Sequence, residues 1–212
     1  MVITDIKKTK QGRYALFLDG EFAFSIHGDS YRLTNISPGL VLDRERLEEL
    51  YQEDLRRSCK DKALRLLAHA SHSRGMLLDK LERDYPPQLA EETADRMAQL
   101  GLLDDLDYGR RFGADCIRLR GWSLRRTRQE LQRRRLDRDT VDQVMEYLEQ
   151  GDEDGDGPRI LKLLEGRYRQ KLADPAKRPN VIAALMRQGF ALGDIRDAMA
   201  RLGDQDGQED WE

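Results

Sequence analysis

Ser123-Leu-Arg-Arg-Thr-Arg-Gln-Glu-Leu-Gln-Arg-Arg-Arg-Leu-Asp-Arg-Asp-Thr-Val-Asp-Gln-Val-Met-Glu-Tyr-Leu148 decides the fold. Ser123 and Asp137 are N-cap residues, each followed by helix-forming sequence. Leu124, Thr127 and Leu131 recur at three and four residues, as do Val141, Val144 and Leu148. The stretch therefore predicts two short helices joined by a tight turn. The same pattern lies fifty residues upstream, where Ser73-Arg74 opens a segment reaching Leu81-Glu82-Arg83. It returns downstream, where Leu185-Met186-Arg187 takes the place of Leu131-Gln132-Arg133 and Ile195, Ala198 and Leu202 take those of Val141, Val144 and Leu148. In the first copy Thr93, Met97 and Leu100 play that part less regularly. A period near 50 residues with three helices per copy predicts a tandem array of three-helix bundles.

Working toward the N-terminus, Leu47, Tyr51, Leu55, Cys59, Ala63, Leu66 and Ala70 form a helical stripe that Asp43 can cap, and Pro86-Pro87 suits a helix start. Residues 1–42 have a different period. Ile3 and Ile6 sit in an extended stretch closed by Lys10-Gln11-Gly12. Tyr14, Leu16 and Leu18 alternate with Ala15 and Phe17, and Phe22, Phe24 and Ile26 alternate with Glu21, Ala23 and Ser25. Asp19-Gly20 between them is a strong hairpin signal. The expected fold is mainly α, about three tandem three-helix-bundle units behind a small N-terminal antiparallel β sheet. The expected boundaries are 1–42 for the β region, 43–103, 104–151 and 157–203 for the helical units, and 204–212 for an acidic tail. Residues 149–157 and 203–212 each carry five acids and no base, as solvated segments do.

Composition excludes several classes. Charged residues make up 36% of the 212, against about 25% in an average globular chain. The apolar stripes are thin, too thin for a large doubly wound sheet. No run approaches a membrane span, and MVITDIKKTKQ lacks the apolar centre of a signal peptide. Two distant cysteines, Cys59 and Cys116, support neither a disulfide framework nor a zinc knuckle, which points to a reduced cytoplasmic protein.

Chemistry-bearing motifs are few. Asp152-Glu153-Asp154-Gly155-Asp156-Gly157 matches the first half of a calcium loop, but position seven is Pro158 and position twelve is Leu163, so an acidic linker is the better reading. His69 and His72 have helix-face spacing without a third ligand nearby. Phosphate-binding, dinucleotide, nucleophile-elbow and zincin motifs are absent. No catalytic residue, metal ligand or cofactor is expected.

The strongest feature is charge. Nine arginines lie between Arg118 and Arg138, opposed by Glu130 and Asp137. The inward stripe of Leu124, Thr127 and Leu131 forces the others around the helix surface. Guanidinium groups bind phosphate or carboxylate through paired hydrogen bonds. Arg118, Arg120, Arg125, Arg126, Arg128, Arg133 and Arg134 are therefore the candidate surface for nucleic acid or an acidic protein face. The competing reading is a solvated helix face neutralised by acidic loops.

The helical part resembles the RecX family. The resemblance rests on Asp104-Asp105-x-x-Tyr108, Gly121, Arg125-Arg126-Thr127-Arg128-Gln129-Glu130-Leu131 and Leu136 in the second unit. It rests on Leu185-Met186-Arg187-Gln188-Gly189-Phe190 with Ile195 in the third, and on Ala63-Leu64-x-x-Leu67, Ser73 and Leu81 in the first. The hairpin around Leu18-Asp19-Gly20-Glu21-Phe22-Ala23-Phe24 resembles the extension of longer members. Three departures stand out: Met76-Leu77 where Glu usually precedes Leu, Thr127 where an apolar residue is usual, and Arg135 where Gly is usual. The resemblance implies a non-enzymatic regulator, a monomer, that binds the RecA filament on single-stranded DNA and inhibits its ATPase, recombinase and coprotease activities, with single-stranded DNA a further contact inside the filament. The alternative is an autonomous DNA-binding helical protein using the Arg-rich second unit, or a scaffold for another partner.

Overall fold

The structure, a computed structural model, describes residues 1–151 and 155–206. The acidic residues 152–154 and the tail from 207 onward lie outside the described residues. Three antiparallel strands open the chain in the order β1 (Ile3–Lys8), β2 (Tyr14–Leu18), β3 (Glu21–Ile26). Asp19 and Gly20 both have positive φ, 49° and 92°, as the favoured two-residue hairpin turn requires. Ile3, Leu16, Leu18 and Ile26 are buried, and Ile36, Leu42 and Leu50 complete their core. On β3 the alternation weakens. The register shifts between Leu16 and Phe17, and Phe22 is left 60% exposed, because a bulge turns the residues beside it.

A short helix that the sequence pattern did not indicate, α1 (Gly28–Leu33), leads to the 26-residue α2 (Arg44–His69), capped by Asp43, whose side chain accepts from the Arg46 amide at 2.7 Å. The expected stripe on α2 needs correction. Leu50, Asp54, Cys59 and Ala63 are buried, whereas Tyr51 and Ala70 are exposed. The N-terminal part of α2 faces the sheet and its later part faces the following helices, so no single stripe runs its length. Asp54 lies against the sheet. Arg13 of the β1–β2 turn donates to it at 2.6 Å, as does the His27 amide.

α3 (Arg74–Leu81) and α4 (Pro87–Gln99) follow, α4 starting at a proline as expected. Cys59, Ala63, Leu77, Leu81, Ala94 and Met97 form their core with α2. Leu100 is 45% exposed because it caps α4 rather than continuing it. The second triplet is α5 (Asp105–Arg118), α6 (Leu124–Arg133) and α7 (Arg138–Gln150). Asp104, Ser123 and Asp137 cap these helices. α5 and α7 approach so closely at Gly113 that a Cβ there would lie 2.5 Å from Leu148. The third triplet is built from α8 (Asp156–Glu165), α10 (Arg178–Arg187) and α11 (Leu192–Asp206), with the short α9 (Arg169–Leu172) and a 3-10 turn at Pro175–Lys177 between α8 and α10. Ile160, Leu164, Val181, Leu185, Phe190 and Ile195 are its core.

Leu81, Leu131 and Leu185, the matched positions of the three copies, are each fully buried. The chain divides into two compact units, Met1–His72 with Met76–Leu103, and Ser73–Gly75 with residues from Asp104 on. The second and third triplets thus belong to one unit. No helix among the described residues is long and apolar enough to cross a membrane.

Candidate partner-docking surface

The arginines of the second triplet separate by what holds them. Arg128 forms an ion pair with Asp142 of α7. Arg134 reaches inward: it donates to the Tyr108 hydroxyl at 2.6 Å and lies 3.9 Å from the centre of the Phe112 ring. Both are engaged by the fold. Arg118 and Arg133 stand well out in solvent with long ion pairs one turn back, to Asp115 at 3.6 Å and Glu130 at 3.5 Å. Exposed pairs of that length contribute at most about 0.5 kcal/mol. Arg125 is exposed.

Arg120 and Arg126 are held differently. Their guanidinium groups lie 4.9 and 4.2 Å from the Trp122 ring centre, and Arg120 also lies 5.7 Å from that of Phe112. A ring attracts a cation through its quadrupole but carries no net charge to cancel it. These two arginines are positioned with their charge retained.

Ser123 fixes the helix that carries this surface. Its side chain accepts from the Arg126 amide at 3.2 Å, and its own amide donates to the Gln188 carbonyl at 3.0 Å. The third triplet is thereby docked on the start of α6. Gly189 makes the approach feasible. Its φ is +97°, and a Cβ there would lie 2.3 Å from Ser123 Oγ and 2.6 Å from Arg126 Cβ. The cleft between α6 and α10 is lined by Arg125, Arg126, Arg133 and Arg187, with Glu130 and Met186. A second cleft between the end of α5 and α8 is lined by Arg118, Arg120, Lys162 and Arg167, with Leu119 and Leu163.

The charge-density argument missed Arg187, Lys162 and Arg167, because it followed one stretch of chain. Arg187 was within reach: in the repeat it occupies the place of Arg133. The repeat also explains Arg135, which matches Gly189. Arg135 has φ +62°, a conformation in which L side chains cost about 1–2 kcal/mol. Glycine, which the matching position of the third triplet carries, is therefore the less strained residue at such a φ.

The remaining candidates are structural. Burial pushes the Cys116 thiol up to about 11. The Cys59 thiol is also raised by burial, and it accepts a hydrogen bond from Thr93. Neither sulfur is a ready thiolate. His69 is exposed at the end of α2, while His72 is buried with Nδ1 2.7 Å from the Ala70 carbonyl. No metal-ligand cluster occurs among the described residues. The half calcium loop at 152–157 begins with residues outside them.

A family model for the first three-helix domain of RecX matches residues 59–97, and one for the second three-helix domain of RecX matches residues 104–145. Regulatory protein RecX of Clostridioides difficile is 22% identical over 205 residues, 95% of each chain. Regulatory protein RecX of Lacticaseibacillus paracasei is 26% identical over 66% of this chain, which spans 59% of that relative's length. A crystal structure of regulatory protein RecX superposes with a TM-score of 0.60 at 22% identity, over 92% of this chain and 98% of the other. Two domain matches in order, relatives similar over most of the chain and a shared fold agree: the chain carries the first and second RecX three-helix domains and is similar over most of its length to RecX regulatory proteins.

Proposed function

We propose that this protein is a non-enzymatic, cytoplasmic regulator that binds the RecA filament on single-stranded DNA as a monomer, without a cofactor, and inhibits the filament's ATPase, recombinase and coprotease activities. Similarity to RecX regulatory proteins supports the choice of partner. The observation that carries docking is the pair of arginines in the second triplet that the fold positions without neutralising, Arg120 and Arg126 on Trp122, with exposed Arg125 and the weakly paired Arg118 and Arg133 lining the same clefts. An anionic surface meeting preoriented guanidinium groups gains paired hydrogen bonds at little further cost in side-chain entropy. Arg128 and Arg134 support the scaffold rather than the contact.

The test is RecA ATPase on single-stranded DNA, titrated with this protein. Inhibition well below one protein per RecA is expected. No effect even in excess, together with strong salt-dependent binding to bare DNA, would instead favour the autonomous DNA-binding reading.

A further inference from the structure

We infer that Trp122 is the positioning residue of the docking surface, and that the surface it organises takes a carboxylate-bearing protein face rather than a nucleic-acid backbone. The inference rests on the reading above and adds the partner's chemistry and the role of one side chain.

The Trp122 ring holds one arginine from each of two basic clefts. Arg126 lines the cleft toward α10 and Arg120 the cleft toward α8, and both guanidinium groups lie on the one indole. The backbone of Trp122 is held on two sides. Its amide donates to the Cys116 carbonyl at 3.0 Å, and its carbonyl accepts from Arg159 at 3.2 Å. The ring therefore has a fixed base from which to hold two cations. Arginine on an aromatic face still presents N–H groups to a carboxylate. Lost rotamer freedom is the main cost of engaging long side chains at an interface, and here the fold has already restricted it.

The neighbours of these cations decide the partner. Leu119 is 70% exposed beside Arg120, and Met186 is 48% exposed beside Arg187. A phosphodiester backbone gains nothing from an exposed leucine or methionine. A protein face with acidic residues around apolar ones is complementary to both the charge and the apolar contacts. The net charge of −3 also sets this chain apart from proteins that bind nucleic acid through overall positive charge.

Trp122 and Trp211 are the two tryptophans, so W211F leaves Trp122 as the sole reporter. In that background the probes are poly-L-glutamate and oligo-dT, each added to the protein alone, with Trp122 emission as the readout. Poly-L-glutamate should change the emission in a salt-sensitive way at concentrations where oligo-dT does not. In parallel, W122L and W122F are compared in the RecA ATPase assay, with helicity followed by circular dichroism. W122L should raise the half-inhibitory concentration about tenfold, as expected when two arginine side chains must be ordered at the moment of docking, and W122F should recover most of that loss. In W122L, adding R126A should cost less than R126A costs in the parent, because the ring and the guanidinium act together. Oligo-dT binding without poly-L-glutamate binding would overturn the partner assignment. Equal inhibition by W122L and the parent, with helicity intact, would overturn the positioning role. Failure of the unmodified protein to inhibit RecA would overturn the functional reading alone, since the probe titration does not involve RecA.

Discussion

The pair at Asp54 and the pair on Trp122 use arginine in opposite ways. In the N-terminal unit, Arg13 meets a carboxylate whose side chain is only 6% exposed. Asp54 also accepts from the His27 amide. The charge is cancelled, and the result is a fixed junction between sheet and helix. In the second triplet, Arg120 and Arg126 rest on an aromatic face that holds them without cancelling them. A carboxylate partner spends a guanidinium on the fold, whereas the Trp122 ring, unlike the Phe112 ring that draws Arg134 inward, keeps its guanidinium groups available. What an arginine-rich stretch can do therefore depends less on the number of arginines than on what each one rests against.

The largest expected effect breaks the neutralised side. D54A removes an acceptor from Arg13 and from the His27 amide, and should destabilise the N-terminal unit by about 3 kcal/mol. Urea unfolding followed by far-ultraviolet circular dichroism measures it. Inhibition of RecA at low temperature, where the unit remains folded, should be retained. The next effect acts on the ring-held side. G189A places a Cβ against Ser123 and Arg126 and forces an L side chain into φ +97°, so it should cost about 2 kcal/mol. It should also weaken docking, because Arg126 shifts with the start of α6. Preserved inhibition in a destabilised G189A protein would show that the position of Arg126 is immaterial.

A carboxylate that caps a helix instead of holding a cation gives a smaller effect. D137A should cost about 1 kcal/mol. Hydrogen bonds from the Thr140 hydroxyl and amide hold the Asp137 carboxyl below its ordinary range. A lowered pKa in the folded state means that its contribution is present above the unfolded carboxylate range and is lost as pH falls through the folded value. The acid limb of the stability profile should therefore be shallower in D137A than in the parent. R135G should stabilise the protein by about 0.5–1 kcal/mol through relief of the left-handed backbone, with no change in inhibition. A loss of inhibition would add Arg135 to the docking surface.

Much of this architecture is legible in sequence because its signals are local. Asp19-Gly20 needs only its own backbone to turn, and Ser123 and Asp137 cap amides three residues away. The repeat shows in the matched leucines at 81, 131 and 185 because each must fill the same kind of core. The division of labour among the arginines is not local. Arg128 finds Asp142 across to α7, and Arg134 finds Phe112 and Tyr108 on α5. From the sequence Trp122 suits added contact area and a core equally, and nothing local shows that two guanidinium groups will lie on its ring. The same limit applies to α2, whose buried face changes along its length because the sheet covers one part and α4 another.

The most direct test pits the two kinds of arginine against each other in one assay. R120A/R126A removes the ring-held pair, and R128A/R111A removes two arginines held by close ion pairs, to Asp142 and to Asp107. Each variant is titrated into RecA ATPase on single-stranded DNA after its helicity has been matched to the parent. The ring-held double variant should need about ten times more protein for half inhibition, while the carboxylate-held double variant should change it less than about twofold. Equal losses in the two variants would contradict the distinction and reduce the surface to undifferentiated positive charge.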